Sequence, residues 1–259
     1  MQKTKSVPPK TKTRVSPKNF LVSLSGKKKA RRAPLSPERV MAAALQMADA
    51  EGLDALSMRN LASALKVEAM SLYNHVPSKE KILDGLVELV VSEIEMPAVG
   101  ANWKSSMRRR ALSAHAVLMA HPWATQLFAS RINVGPNMLH YVDQTLGCLR
   151  EGGFSYPLAD HAWNALDSYL YGFTFHTLNF PLDPADYVSA AKQFIHLIPV
   201  ETFPYLNGLS QELIAGRHDG VHRFELGLDL LLEGLEKLRL GQVTARSRKG
   251  RTRAQSKTD

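Results

Sequence analysis

Cysteine occurs once in the 259 residues, at Cys148. That excludes an intramolecular disulfide and any cysteine-cluster metal site, and leaves Cys148 to pack as a small apolar residue. Long apolar runs are missing too. No segment reaches the ~18 residues that a membrane span requires. The apolar stretch at 20–24 follows basic residues, but it is shorter than the ~7–15 residues of a secretion-signal core. A cytoplasmic location is expected. The nine histidines are scattered, with no HExxH spacing, and neither a G-x-S-x-G turn nor a phosphate loop is present. These absences argue against an enzyme and leave no cofactor or metal site to assign.

Acidic residues are missing from positions 1–33, which hold 11 Lys/Arg, while 241–259 hold 6 Lys/Arg and one Asp. Residues 34–240 therefore carry 16 basic against 23 acidic residues. The net charge of +9 belongs to the ends, and the part that folds is mildly acidic. Both ends are rich in Lys, Arg, Ser, Thr and Pro or Gly, with little to bury. They read as disordered basic arms, 1–33 and 241–259. Such arms either add salt-sensitive attraction to phosphates or only keep the chain soluble.

Strand-like alternation is also absent, and every long segment between the arms keeps a helical period, so the expected fold is all-α. Ser36-Pro37 opens a first helix, with Ser as N-cap and Pro at the first helical position. Its apolar face is Val40, Ala43, Ala44, Met47 and Ala48, and Gly52 ends it. Ser57 caps a second helix with inner residues Met58, Leu61, Ala62 and Leu65. A short third helix spans about 68–74, with Leu72 and Val76 turned inward and Ser71, Tyr73 and Asn74 outward. A fourth runs from 79 to about 95 over Ile82, Leu83, Leu86, Leu89 and Val90. Pro97 and Gly100 mark a boundary. The division is an N-terminal helix-turn-helix domain, 34–96, built on three helices, and a helical domain, 97–240. In the latter, helices are expected at 102–120, 123–130, 136–151, 156–179, 184–197 and 219–240. The last has an apolar stripe from Phe224 through Leu228, Leu231, Leu232 and Leu235 to Leu238, flanked by Gly227 and Gly234. Glycine costs about 1 kcal/mol against alanine inside a helix, so the pair suggests close packing. This helix and 156–179, with Trp163, Leu166, Leu170 and Phe173, are candidates for a dimer interface or for ordinary intrachain core.

The stretch SMRNLASALKVEAMSLYNHVPSKEKIL at 57–83 carries a resemblance: residues 35 to about 95 resemble the DNA-binding domain of the TetR family of transcriptional repressors. The remainder to 240 is similar to the ligand-binding domain of tetracycline-repressor-like members through Trp103, HPWA at 121–124, GPN at 135–137 and GGF at 152–154. The resemblance implies a homodimer on a near-palindromic operator in double-stranded DNA, released by a small apolar or aromatic inducer. A DNA-binding regulator controlled by a protein partner, or an activator, is the alternative. It also implies the contacts. Arg59 is placed to read a guanine edge bidentately, unless it is simply solvated. Ala69 and Met70 offer apolar contact to a thymine methyl, and Asn74 reads a base or binds a phosphate. Ser57, Ser71, Tyr73, His75 and Lys79 fit phosphate clamps, which position without specifying; His75 could instead be a packing residue. The family usually has glycine in the turn where this chain has Lys66, so a left-handed backbone there costs roughly 1 kcal/mol or more, while the lysine gains reach to the DNA backbone.

On the ligand side, the tetracycline-contact places of the tetracycline repressor fall on Glu95, Arg110, Ala114, Phe128, Arg131, Thr145 and Ser168. None keeps the family's residue type. Phe128 stands where the metal-binding imidazole would be, which argues against a magnesium–tetracycline complex. The aromatic residues singled out as pocket candidates are His121, Trp123, Phe128, Trp163, Tyr169, Phe173 and His176, with plain core as the alternative.

Overall fold

Ser36, Ser57 and Ser78 each accept a hydrogen bond from the backbone N–H three residues on, and so start three of the first four helices. The computed structural model describes residues 34–255, with side chains through 242. Its helices are α1 (Pro37–Glu51), α2 (Met58–Leu65), α3 (Ala69–Tyr73) and α4 (Lys79–Ser92). They are followed by α5 (Trp103–Ala120), α6 (Ala124–Ser130), α7 (Pro136–Glu151) and α8 (Tyr156–Asn179). The last three are α9 (Tyr187–Phe194), α10 (Pro204–Ile214) and α11 (Phe224–Gln255). No strand occurs among the described residues. The expected arm at 1–33 lies outside them.

Three segments differ from the sequence expectation. A single helix was expected over 184–197, but α9 is flanked by short 3-10 turns at Pro184–Asp186 and Ile195–Leu197. No helix is expected between 197 and 219, yet α10 forms there; Pro204 takes its first helical position, where its missing N–H costs nothing. The third is the stretch from 241, expected as a disordered tail, where the backbone of α11 runs on as helix to Gln255. Ala, Arg, Lys and Gln in that stretch are all good helix formers, and no proline intervenes.

α1 packs on α2 and α4, and α2 on α3, over a core of Val40, Ala44, Leu61, Leu72, Ile82 and Leu86, each no more than 1% exposed. Burying the valine, leucine and isoleucine side chains among them contributes about 1.5–3 kcal/mol each. Beyond α4, helix α5 packs against α7, α8 and α11, and α8 against α6, α7 and α11. The stripe Phe224, Leu228, Leu232 and Leu235 is buried within the chain. Leu166 and Leu170 of α8 are buried too, and Trp163 and Phe173 pack against the same core. Apart from Leu238, the side chains singled out for a dimer interface are thus intrachain core, and other parts of these two helices are the uncovered ones. Leu226, Leu230 and Leu238 of α11 and Phe175 of α8 are all more than half exposed. The two glycines of α11 separate accordingly. A Cβ on Gly227 would lie 2.3 Å from the Tyr169 hydroxyl, whereas nothing lies within 4 Å of one on Gly234.

A candidate DNA interface and a candidate ligand cavity

The turn between α2 and α3 is closed by Lys66 at φ 58°, ψ 48°, the one non-glycine residue at positive φ among the described residues. Lys66 N donates to Ser63 O at 3.1 Å and Val67 N to Ala62 O at 3.0 Å, a helix-ending pattern that glycine adopts without penalty. The chain therefore keeps the geometry that a glycine would give and carries the strain. Lys66→Gly is expected to raise stability by about 1 kcal/mol, read as a higher midpoint in urea unfolding.

Beyond this turn α3 is anchored by Leu72, which is fully buried, and by Val76. The same anchoring turns the remaining residues outward. Met70 is 75% exposed, uncommon for an apolar side chain inside a helix, and Tyr73 and Asn74 are exposed beside it. Ala69, Ser71 and His75 are half-buried. Arg59 projects into solvent from the first turn of α2, and Lys66 and Lys79 are exposed as well. The Ser57 hydroxyl oxygen accepts from Asn60 N at 3.1 Å, so its own hydrogen stays available to an acceptor. The ten residues expected at a DNA surface thus lie on α2, the turn, α3 and the start of α4, with the apolar anchors between them facing the core.

The seven aromatic pocket candidates do not form one site. His121 and Trp123 sit at a joint with α1: His121 Nδ1 and Trp123 Nε1 both lie 2.7 Å from Asp49 Oδ1, and His121 Nε2 is 3.3 Å from Glu93 Oε2. Tyr169 and Phe173 belong to an aromatic seam with Phe224 and His115, closed by a 2.9 Å hydrogen bond from the Tyr169 hydroxyl to Phe224 O. His176 lines a separate apolar hollow of about 590 Å³ between the end of α8 and α9–α10.

Phe128 and Trp163 do come together. With Tyr171, Met138, Arg131, Asn133, Asn164 and Ser168 they line a cavity of about 410 Å³ bounded by α6, α7 and α8. Asp167 forms part of its wall and is bonded to Arg110 Nη2 at 2.8 Å and to Trp163 Nε1 at 2.6 Å. The Arg110 side chain is wholly buried, over the Tyr141 ring at 4.6 Å. Burial by itself disfavours its charge; the Asp167 carboxylate more than offsets this, holding the guanidinium firmly protonated. Burial also pushes the Tyr141 and Tyr171 phenols well above their ordinary range, so both stay neutral. Of the positions aligned with tetracycline contacts, Phe128, Arg131 and Ser168 line this cavity and Arg110 lies behind Asp167.

Three polar joints tie the first four helices to this cavity's frame. The first is the Asp49–His121–Glu93 cluster with Trp123. Burial lowers the His121 affinity for a proton, but hydrogen bonds to Asp49 and Glu93 outweigh it and raise the imidazole above its usual value. A raised imidazole contributes stability that is complete below ~6.5, the unfolded value, and is lost as pH rises through the folded value. Unfolding midpoints are therefore expected to fall across that window, and His121→Gln to flatten the fall. In the second joint, Arg131 donates to Glu80 Oε2 at 2.6 Å and to Asp84 Oδ1 at 2.7 Å. In the third, the Glu88 carboxylate accepts from the backbone of Asn137 and Met138 at 2.8 and 3.0 Å, an anion at the helix N-terminus of α7. A Cβ on Gly135 would lie 2.2 Å from that carboxylate, which explains why the GPN motif begins with glycine.

Two family profiles match the chain in succession. A family profile described as bacterial regulatory proteins, tetR family, matches residues 40–86, and one described as tetracyclin repressor-like, C-terminal domain, matches 96–239. The HTH-type transcriptional repressor DrrR1 of Streptomyces coeruleorubidus is 31% identical over 214 residues, 79% of this chain and 78% of that one. The tetracycline repressor protein class D of Escherichia coli is 30% identical over 210 residues, 79% of this chain and 90% of that one. The solved structure of the Streptomyces coelicolor TetR family protein ActR in complex with actinorhodin has a TM-score of 0.68 at 29% identity, covering 78% of this chain and 96% of that one.

Proposed function

Because the chain belongs to the TetR family of transcriptional regulators, a DNA-binding protein and not an enzyme, we propose that it is a repressor whose homodimer holds a near-palindromic operator and lets go when a small molecule fills the α6–α7–α8 cavity. The carrying observation is the face of α2 and α3, where Arg59, Met70, Tyr73 and Asn74 are exposed around a buried Leu72. Arg59 reads a guanine edge; Ala69 and Met70 meet a thymine methyl; Asn74 reads a base or binds a phosphate. Ser57, Lys66, Ser71, Tyr73, His75 and Lys79 hold phosphates. The uncovered strips of α8 and α11 pair the two protomers.

The cavity's volume and aromatic walls suit an aromatic molecule, and related ActR has been solved in complex with actinorhodin. Release requires the ligand to favour the state that does not fit DNA. Half-sites on the duplex repeat about every 34–36 Å, so a small tilt of α4 moves both recognition helices out of register together. A thermal-shift screen for molecules that stabilise the protein and weaken operator binding tests induction; failure across a broad library would favour control by a protein partner.

A duplex selected from random sequence supplies the operator. Arg59→Ala is expected to weaken its binding by about 1–3 kcal/mol and to relax preference at one position per half-site. Equal weakening on all sequences would make Arg59 a phosphate contact instead.

A further inference from the structure

Of the three polar joints, only that of Arg131 puts a charged side chain in the cavity wall. Among the described residues no other side chain lining the cavity is ion-paired to α4. Its two terminal nitrogens are held by Glu80 and Asp84, while its Nε is buried without a partner, as is the Asn133 Oδ1 in the same wall. Behind Asp167, Arg110 likewise leaves Nε and Nη1 buried without partners. The region therefore holds three guanidinium donors that lack an acceptor, next to the rings of Phe128, Trp163 and Tyr171.

We propose that Arg131 transmits cavity occupancy to α4, and that the molecule that drives it is an aromatic oxyanion, a carboxylate or an ionised phenol. This rests on the reading of the cavity as the inducer site. An oxyanion facing Arg131 competes with Glu80 and Asp84 for one planar fork. The two carboxylates give it up readily, because their side chains are 66% and 40% exposed and water replaces the lost partner. Both lie in the first two turns of α4, beginning one residue after Lys79. Once released they leave the Glu80 charge uncompensated beside a phosphate-facing lysine, and they free the helix that follows α3. Asp84 keeps a second partner in Lys81 at 3.1 Å, so Glu80 changes most. Arg131 is thus a positioning residue, acting on DNA through α4.

The test uses the full chain, a selected operator duplex and two probes of equal size, 2-naphthoate and the uncharged 2-naphthalenemethanol. Naphthoate is expected to bind about ten-fold more tightly than the alcohol and to weaken operator binding. In Arg131→Gln that preference should vanish, and in Arg131→Lys, which keeps the charge without the fork, it should be partial. In Glu80→Gln/Asp84→Asn naphthoate should still bind but no longer alter operator affinity, an outcome that a merely structural Arg131 would not produce; this variant carries the test if Arg131→Gln does not fold. Equal binding of both probes to wild type and Arg131→Gln overturns the proposal while leaving the cavity as the ligand site. Binding of neither probe also overturns it, and the wider library screen then decides the cavity reading separately.

Discussion

Leu230→Glu is expected to turn a dimer into a monomer and to lower affinity for the selected duplex by about 10²–10⁴-fold, the range lost when two linked contacts become one. Leu230 is 68% exposed on α11, in line with Leu226 at 66% and one turn from Gly234. Their side of the helix lies opposite the buried Phe224, Leu228, Leu232 and Leu235. An apolar strip on a helix whose inner face is already packed marks an interaction surface. A carboxylate placed there would have to be desolvated in each protomer and would meet its own symmetry mate. Leu139→Glu on α7, at a residue 54% exposed, serves as the control and should change neither mass nor affinity. Sedimentation and fluorescence anisotropy read the two effects. A monomer that keeps full affinity would show that one recognition unit suffices.

The second large effect concerns the floor of the cavity. Asp167→Ala should cost about 3–5 kcal/mol, because it leaves the wholly buried Arg110 charged and unpaired. Replacing both residues, Arg110→Met with Asp167→Leu, should recover most of the loss, since an apolar pair of similar volume escapes the desolvation penalty. Urea unfolding at fixed protein concentration distinguishes the outcomes. If the double variant is as unstable as the single, Asp167 matters through Trp163 and Tyr171 rather than through the ion pair. The pair also explains why a charged residue is tolerated at the centre of α5: its carboxylate comes from α8, so the pair ties α5 to the cavity wall.

The caps and faces of α1 to α4 were legible because each depends on residues close in sequence: serines three residues ahead of the N–H groups they cap, and apolar side chains three and four apart. Lys66 was legible as a departure, and the structure shows the left-handed turn it had to adopt. The cavity was not legible from aromatic content. Tyr169 and Phe173 satisfy the same periodicity as Trp163, and only packing against Phe224 separates seam from cavity. Arg110 on α5 gives no local sign that its partner lies 57 residues on, at Asp167. The uncovered strip of α11 was hidden for a related reason. Leucines occupy both faces of the helix, so pattern alone found the buried face and missed the open one. The motifs HPWA and GPN had a structural meaning that no single segment shows, for both are joints to α1 and α4.

The central claim is that the surface formed by α2 and α3 reads a duplex twice, in a symmetric pair. Its most direct test measures affinity for the selected duplex with and without five base pairs inserted at its centre, about half a helical turn. The account predicts an inverted repeat bound by two protomers, with affinity collapsing towards that for random duplex on insertion. Unchanged affinity after insertion, or a selection that yields no site preferred over random duplex at moderate salt, would contradict it.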